Sequence, residues 1–427
     1  MMNKKIIITL IAITPLFATA QLGGLMNKVK NKVNQRVDNK VDKAINKTLD
    51  KAEGKNTVGT QPATTAGGTD AAPVKADEAV KSFTKYDFIP GEKILYYDNF
   101  DQEAIAELPT GWNTNGSGEV VTLEKFPGKW LRVHDPFVYL TSNTKELPEN
   151  YTAEFDIILQ LKNNGWMYPT FSAGFLATNG EGGTDNVFLK DYNKYAAVMA
   201  TIYPGETSSS RVQLESFTDA RTYFKSEAKT YGDLDKYYGK PVHVAIQVQK
   251  QRFRMWINEA KVFDVPKGVD TGYKMNQVFF KVGQTNYKEE QYAIYISSIK
   301  AATGLPDTRH KLIEEGKFST TGILFDVNAA TIRPESYGVV KEIAGVLKEN
   351  PSVKIKVIGH TSSDGDDNTN MELSKKRAAA VKDMLVKEFG IDAATIETEG
   401  KGETQSIADN KTKEGKAANR RVEFIKL

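Results

Sequence analysis

The residues best suited to chemistry in this chain form a polar stretch near the C-terminus. Residues 359–367 read Gly-His-Thr-Ser-Ser-Asp-Gly-Asp-Asp, and Asn370 and Arg377 follow shortly after them. These side chains supply carboxylates, hydroxyls, an amide and a guanidinium, whose planar donors suit a carboxylate partner. The combination predicts a small polar site for a ligand that carries both an ammonium and a carboxylate group.

Two regular elements must hold this stretch in place. Apolar residues alternate with lysines over residues 353–358, which predicts a half-buried strand, and an apolar-periodic segment over residues 373–389 predicts a helix. Further strands are predicted at residues 323–327, 395–399 and 419–424, and a further helix at 334–350. The pattern predicts a βαβαβ, two-layer α/β domain over residues 322–427, preceded by a connector at 303–321.

Short motifs are spread across this predicted domain. They are Phe325-Asp326-Val327-Asn328 with Ile332 and Pro334, Gly359-His360-Thr361, Asn370 with Leu373-Ser374 and Arg377-Ala378, Gly400-Lys401-Gly402-Glu403, and Asn419-Arg420-Arg421-Val422-Glu423. On these residues the domain resembles the OmpA-like peptidoglycan-binding family, which includes peptidoglycan-associated lipoproteins and flagellar-motor stator proteins. The resemblance implies non-covalent binding of the peptide stem of peptidoglycan, chiefly its diaminopimelate.

The resemblance also implies which residues contact the ligand. The predicted site comprises Thr361, Ser362, Asp364, Asn370, Leu373, Arg377 and Arg421, with Leu373 as a packing support and Asp364 added from the residue types of the loop rather than from the family. Arg377 corresponds to the family arginine that holds the diaminopimelate carboxylate. The family usually places an aspartate for the ligand's ammonium directly after Gly-His-Thr, where this chain has Ser362. We expect Asp364 to replace it; the alternative is that Ser362 weakens or abolishes binding and that the acidic loop is merely solvated.

Residues 83–302 are rich in predicted strands. Short alternating or aromatic runs recur, for example at residues 152–161, 195–203 and 242–248, with Gly- and Asn-rich turns between runs, which is typical of a β-sandwich. The sequences Tyr-Tyr-Asp-Asn-Phe-Asp at 96–101, Thr-Ala-Glu-Phe-Asp-Ile at 152–157 and Arg-Phe-Arg-Met-Trp-Ile-Asn at 252–258 resemble strands of the concanavalin-A-like jelly-roll family. The predicted fold is therefore multidomain, with a jelly-roll β-sandwich before the α/β domain.

A catalytic role for the sandwich is an open alternative, in which the chain is a wall-anchored carbohydrate-active enzyme. Laminarinase-type glucanases of this fold carry a Glu-x-Asp-x-x-Glu strand, because two carboxylates must flank the glycosidic bond. Glu154 and Asp156 fill the first two places, but Leu159 stands at the third. We therefore predict no hydrolysis and expect both carboxylates to face solvent. Trp112 and Trp166 are candidates for stacking on a glycan, although aromatic residues more often belong to the core.

The N-terminal residues carry three further signals. Residues 1–20 are typical of a secretory signal peptide, with an uncleaved membrane anchor as the alternative. Residues 21–53 carry an apolar residue at every fourth position among basic and polar ones, which predicts a basic amphipathic helix. That helix is a solvated tail, a contact to an anionic membrane surface, or a self-association segment. Residues 54–82, rich in Gly, Thr, Ala and Pro, predict a disordered linker.

Composition narrows the function further. The chain has 427 residues, no cysteine and a net charge of +3, which excludes thiol catalysis and argues against nucleic acid as a partner. Its histidines lack metal-ligand spacing and no phosphate-binding loop occurs, so we predict no metal and no cofactor. We expect a non-enzymatic protein of a Gram-negative-type periplasm, associated with cell wall and outer membrane. It would tie the sandwich to peptidoglycan, and residues 21–53 would contact the outer membrane or an outer-membrane protein.

Overall fold

The computed structural model describes residues 86–304 and 307–427. The predicted signal peptide, amphipathic helix and linker at residues 1–82 lie outside these ranges, so they stay predictions. Within the two ranges, no helix combines the length and the apolar character needed to cross a membrane.

Residues 93–303 fold into antiparallel sheets. In chain order the strands are β1 (Lys93–Asp98), β2 (Asn113–Thr114), β3 (Gly118–Leu123), β4 (Phe126–Val133), β5 (Val138–Leu140), β6 (Asn150–Leu161), β7 (Phe171–Ala177), β8 (Ala196–Tyr203), β9 (Arg211–Thr218), β10 (Arg221–Lys225), β11 (Lys229–Thr230), β12 (Pro241–Gln249), β13 (Arg252–Ile257), β14 (Ala260–Val265), β15 (Gln277–Val282) and β16 (Tyr292–Thr303). A short helix, α1 (Val187–Lys190), and 3₁₀ turns at Leu234–Tyr237 and Glu289–Gln291 interrupt them. The runs predicted as strands overlap these elements, with differences of a few residues at their ends, which confirms the sheet-rich assignment.

These strands form two sheets of eight strands each in the described part of the chain. The first sheet has the order β14-β13-β12-β6-β16-β4-β3, with β1 also paired to β16. The second has the order β10-β9-β8-β7-β15-β5-β2, with β11 paired to β9. One hydrophobic cluster contains side chains from both sheets, so the arrangement is sandwich-like. The finer resemblance to a concanavalin-A-like jelly roll stays a prediction.

Strand β6 shows how the sheets meet. Phe155 and Ile157 belong to the shared core, and the Phe155 ring lies 5.2 Å from that of Phe280 on β15 in an edge-to-face contact. Burying such a side chain contributes about 1.5–3 kcal/mol, which explains why the alternating pattern predicts this strand well. The opposite face of β6 is also buried, although it carries Glu154 and Asp156. A structure other than the second sheet must therefore cover it.

The C-terminal domain is a mixed sheet with helices packed on it. Its strands are β17 (Lys317–Thr320), β18 (Ile355–Gly359), β19 (Ile396–Gly400) and β20 (Val422–Lys426), in the order β17-β20-β18-β19. Its helices are α2 (Tyr337–Glu349), α3 (Asp367–Lys387) and α4 (Lys413–Asn419), with a π-helical turn at His310–Glu314 and 3₁₀ turns at Pro334–Ser336 and Ala393–Thr395. Strands β18 and β19 are parallel, while β20 runs antiparallel to β17 and β18. A separate hydrophobic cluster fills this domain.

The first strand of this domain is not where the sequence places it. The sequence predicts a strand at residues 323–327, but only an isolated bridge forms there, between Phe325 and Ile332. The edge strand is β17, within the predicted connector, and the buried side chains of Leu312 and Phe318 join the domain core. That connector is therefore part of the α/β domain, since its apolar residues pack into the domain core.

Residues 86–90 lie between the two domains. Tyr86 and Phe88 pack with Trp256 on the outer face of the first sheet, and Trp256 donates its Nε1–H to Asp87 at 3.0 Å. On the other side, a Cβ added to Gly338 of α2 would lie 2.6 Å from the carbonyl oxygen of Phe88. Only glycine permits this close approach of α2, so the segment is held between the first sheet and α2.

Candidate ligand-binding site

The polar loop has two fixed ends. It begins after Gly359, where an added Cβ would lie 2.2 Å from the main-chain oxygen of Ser374 on α3, so strand and helix are in close contact. It ends at Asp366, whose Oδ1 accepts a hydrogen bond from the main-chain N–H of Thr369 at 2.9 Å. This is an N-terminal cap that satisfies one of the free donors of α3. The sequence placed the start of α3 at Leu373, because Asp-Asp-Asn-Thr at 366–369 is polar enough to read as loop.

Asn370 fixes the shape of the loop from within. Its side chain is buried, and its Nδ2 lies 3.3 Å from the carbonyl oxygen of Ser362, 3.1 Å from that of Asp364 and 2.8 Å from Oε2 of Glu403. An amide nitrogen with two hydrogens thus serves both the loop and the segment after β19. The residue predicted to contact the ligand therefore also orients the loop around it.

Asp364 lies beside Ser362 as expected, but its charge is already matched. Ser362 donates its Oγ–H to Oδ2 of Asp364 at 3.0 Å, and Lys416 donates to Oδ1 at 2.5 Å. A nitrogen of Arg420 lies 3.6 Å from Oδ2. Partial burial alone would raise the pKa of Asp364, but the bonds from Lys416 and Ser362 lower it below its usual value. Asp364 is therefore ionised and shared between two cations.

Arg377, unlike Asp364, meets no opposite charge among the described residues. Its Nε–H donates to the carbonyl oxygen of Ala329 at 3.0 Å, and its guanidinium lies 4.9 Å from the ring centre of Phe325. Among the described residues, no carboxylate lies within salt-bridge distance of it. Burial and the nearby charge of Arg420 together lower the pKa of Arg377 to about 10. A half-buried guanidinium that meets no counter-charge from these residues is suited to an incoming carboxylate.

Arg421 points away from the polar loop. The sequence placed it among the ligand contacts, but it is 4% exposed and donates inward, to Oε1 of Glu423 at 2.7 Å and to the carbonyl oxygen of Gln405 at 3.0 Å. The preceding residue, Arg420, faces the loop and donates to Oγ of Ser362 at 3.3 Å. Arg421 therefore stabilises the start of β20 and its ligand contact stays a prediction, whereas Arg420 is the arginine that contacts the loop.

Thr361 and Leu373 lie at the edge of the same region. Thr361 is buried, and its main-chain N–H donates to the carbonyl oxygen of Gly402 at 2.9 Å, which ties the loop to the segment after β19. Its Oγ1 is buried and has no hydrogen-bond partner among the described residues. Leu373 is half-buried on α3. Of the seven predicted contacts, the structure brings Thr361, Ser362, Asp364 and Asn370 together in or against the loop.

Comparison with known proteins identifies the family of the domain that carries this loop. A model of the OmpA family matches residues 324–420. The outer-membrane lipoprotein YfiB of Pseudomonas aeruginosa is 34% identical over 147 residues, which are 34% of this chain and 81% of that lipoprotein. The chain belongs to the OmpA family. We refer to residues 307–427, the second described range, which contains the matched residues 324–420, as the OmpA-family domain.

Two further relatives show how far the similarity extends. Outer membrane porin F of Pseudomonas aeruginosa is 43% identical over 101 residues, which are 24% of this chain and 29% of the porin. The chain thus spans less than a third of that relative's length. A solved structure described as the cell wall anchor of the T6SS from Pseudomonas aeruginosa is 32% identical and covers 25% of this chain and 78% of that one, with a TM-score of 0.23.

Sequence reasoning missed two cations of the OmpA-family domain. Lys416 and Arg420 both reach Asp364, and Lys413 lies one turn before Lys416 on α4. Their spacing of three and four residues is typical of one helix face. That signal is present in the sequence, but the Gly and Asn residues around it favour a loop.

Outside the OmpA-family domain, the two candidate glycan-stacking residues differ in exposure. Trp112 is 7% exposed, lies parallel to Phe280 at 6.2 Å between ring centres, and donates its Nε1–H to Asp98 at 3.1 Å. Its ring is thus part of the sandwich core. Trp166 is 60% exposed, in the segment between β6 and β7, beside the exposed Met167. Trp166 is therefore the residue of the two with a ring open to solvent.

The expectation that Glu154 and Asp156 face solvent is wrong. Arg333 of the OmpA-family domain donates to both oxygens of Asp156 at 3.2 Å, and Nδ1 of His243 lies 2.8 Å from Oδ1. Lys300 lies 2.5 Å from Glu154. Burial alone would raise the pKa of Glu154, but Lys300 and His243 lower it to about 2. Asp156 forms a buried contact between domains and Glu154 is buried beside it, so neither is open to a sugar.

Proposed function

We propose that this chain is a non-enzymatic envelope protein that binds peptidoglycan non-covalently through its OmpA-family domain. The observation that carries the proposal is Arg377, a half-buried guanidinium that meets no carboxylate among the described residues. Leaving such a charge without a counter-ion is unfavourable, so the site gains free energy when a ligand carboxylate arrives. The match to the OmpA family over residues 324–420 supports the same role.

The ligand group proposed for this site is the diaminopimelate of the stem peptide. This residue ends in an ammonium and a carboxylate on one carbon, so it needs a cation and an anion close together. Arg377 would take the carboxylate bidentately. Asp364 is the nearest loop carboxylate to Ser362 and would take the ammonium, sharing its charge with Lys416 and Arg420.

The OmpA-family domain is proposed to anchor the remainder of the chain to the cell wall. The sandwich-like sheets, with a concanavalin-A-like jelly roll as the proposed fold, would present a binding surface, and the exposed Trp166 would stack on a glycan. Residues 1–20 would direct export and residues 21–53 would contact the outer membrane. The names of the relatives, an outer-membrane lipoprotein and an outer-membrane porin, support a place in the periplasm of a Gram-negative envelope.

Sedimentation of the full chain with purified peptidoglycan tests the proposal. Wild type should pellet with the wall, and Arg377→Ala should weaken binding about ten- to a hundredfold, because a charge-assisted hydrogen bond is lost. Arg221→Ala, at an exposed position on β10, is the matched control and should bind like wild type. A wild-type chain that stays in the supernatant contradicts the proposal, and so does an Arg377→Ala variant that still pellets fully.

A further inference from the structure

A narrow crevice separates the polar loop from the sandwich. The sandwich contributes Tyr97, Asn99, Asp101 and Gln102, and the OmpA-family domain contributes Asp364, Lys413, Lys416 and Arg420. Arg420 joins the two sides, because its guanidinium lies 5.4 Å from the ring centre of Tyr97 and 3.3 Å from Oγ of Ser362. The sandwich is thus one wall of the candidate ligand site.

A buried ion-pair latch sets the position of this wall. Nζ of Lys413, in the first turn of α4, lies 2.9 Å from Oδ1 of Asp98 and 2.6 Å from Oε1 of Glu103. Both carboxylates are buried. A cation is unfavourable at a helix N-terminus, so the latch, rather than the helix, accounts for this lysine. Because Asp98 and Glu103 flank residue 101 on both sides, the latch also fixes where Asp101 sits.

Asp101 is the carboxylate of the crevice that meets no cation from the described residues. Asp364 is shared by Lys416 and Arg420, and Asp98 and Glu103 are taken by Lys413. Asp101 is exposed, accepts a hydrogen bond from the side chain of Asn99, and forms no salt bridge with any described residue. Lys129 is near but donates to the main-chain oxygens of Asp101 and Glu103, not to the Asp101 carboxylate.

The size of the crevice limits what it can accept. Its volume is about 20 Å³, which is room for one water-sized group. A primary ammonium has that size, and it carries the charge that an unmatched carboxylate attracts. A sugar ring is too large, and a methyl group of similar size lacks the charge.

We propose that Asp101 of the sandwich binds the ammonium group of the peptidoglycan stem peptide beside Asp364, whose own charge is matched by Lys416 and Arg420, and so supplies the carboxylate that the loop lacks at Ser362. The inference rests on the proposed function of the OmpA-family domain. Arg377 holds the carboxylate of the ligand, and Asp101 holds its ammonium. The two domains therefore share one binding site, and both groups of the wall ligand are bound only when the domains are docked.

Calorimetric titration of the full chain with two peptides tests this. One is the stem tripeptide that ends in meso-diaminopimelate with its side-chain amine free, and the other is the same peptide with that amine acetylated. Wild type should prefer the free amine by about ten- to a hundredfold, the worth of a charge-assisted contact. Asp101→Asn should lose this preference and keep its thermal unfolding temperature. Glu149→Gln, at another exposed sandwich carboxylate, should retain it.

Each other outcome decides against the proposal. An Asp101→Asn variant that still prefers the free amine shows that Asp364 alone binds the ammonium. A variant that binds both peptides more tightly shows that the sandwich loop is a lid over the site. If wild type binds neither peptide, the proposed function and this inference both fail. If Arg377→Ala abolishes binding while Asp101→Asn is silent, only this inference fails.

Discussion

The outer face of β6 and the loop after β18 both gather carboxylates and cations, but in opposite ways. At β6, Asp156 meets Arg333 and His243, and Glu154 meets Lys300, all within the protein interior. At the loop, Arg377 is also desolvated yet meets no carboxylate among the described residues. The first arrangement closes a contact between domains, because each of these buried charges has its partner. The second leaves one charge to be matched from outside, which is what a binding site requires.

The largest loss of stability should come from breaking the charge cluster on the outer face of β6. Arg333→Ala should lower the free energy of unfolding by about 3–5 kcal/mol, because it leaves Asp156 buried without its bidentate partner. Urea denaturation measures this change. Arg309→Ala is the control: its Nε lies 3.8 Å from Glu349 in an exposed pair, so the expected loss is about 1 kcal/mol or less. Similar losses in both variants would mean that the cluster is not a buried interface.

A rise in pH should also destabilise this cluster, because His243 loses its proton. Burial alone would lower the pKa of His243, but hydrogen bonds to Asp156 and Glu154 raise it to about 9. Protonated His243 therefore stabilises the folded protein by at most about 3 kcal/mol. This stabilisation is complete below about pH 6.5 and is lost as the pH rises through about 9. The neighbouring charges are Glu154, Asp156 and Lys300 on the sheet and Arg333 and Glu335 across the interface.

Unfolding of wild type and His243→Gln in urea between about pH 6 and pH 10 measures this dependence. The glutamine side chain does not titrate, so the variant should be less stable near the acid end and should lack the decline toward the alkaline end that wild type shows. His310→Gln, at an exposed position, is the control and should keep the wild-type profile. Equal slopes for all three proteins would place the His243 proton outside the folding equilibrium.

The smallest effect on stability should come from a substitution at Arg377, beside the polar loop. Arg377→Met keeps an unbranched side chain against Phe325 and removes a charge that no described carboxylate matches. We expect a change of less than about 1 kcal/mol in the free energy of unfolding, together with loss of sedimentation with peptidoglycan. Urea denaturation and the wall assay on one preparation measure both. A loss of stability as large as that of Arg333→Ala would erase the difference between the two regions.

Local patterns predicted most elements of the fold. Alternation and turn residues indicated the sandwich strands, because one side chain in two is buried against the second sheet. The polar loop and Arg377 also followed from the sequence, through residue types and family motifs. The edge strand β17 was missed, since in Lys317–Thr320 only Phe318 is apolar and a pattern of that length carries little signal.

What could not be predicted depends on docking between distant parts of the chain. The side chains of Glu154 and Asp156 alternate with apolar ones, so solvent was the natural expectation for their face of β6. Arg333, 177 positions from Asp156 along the chain, removes that face from water. The choice between Arg420 and Arg421 likewise depends on where α4 ends and β20 begins, because one residue of shift reverses which side chain faces the loop.

Residues 86–90 have a mechanical consequence. This segment packs against both the outer face of the first sheet and Gly338 of α2. When the OmpA-family domain is held fixed and tension is applied to the chain before Tyr86, the load divides between α2, through the close contact of Phe88 with Gly338, and the covalent chain that leads into β1. The contact with α2 therefore reduces the share of the load that reaches the hydrogen-bonded strands of the sandwich.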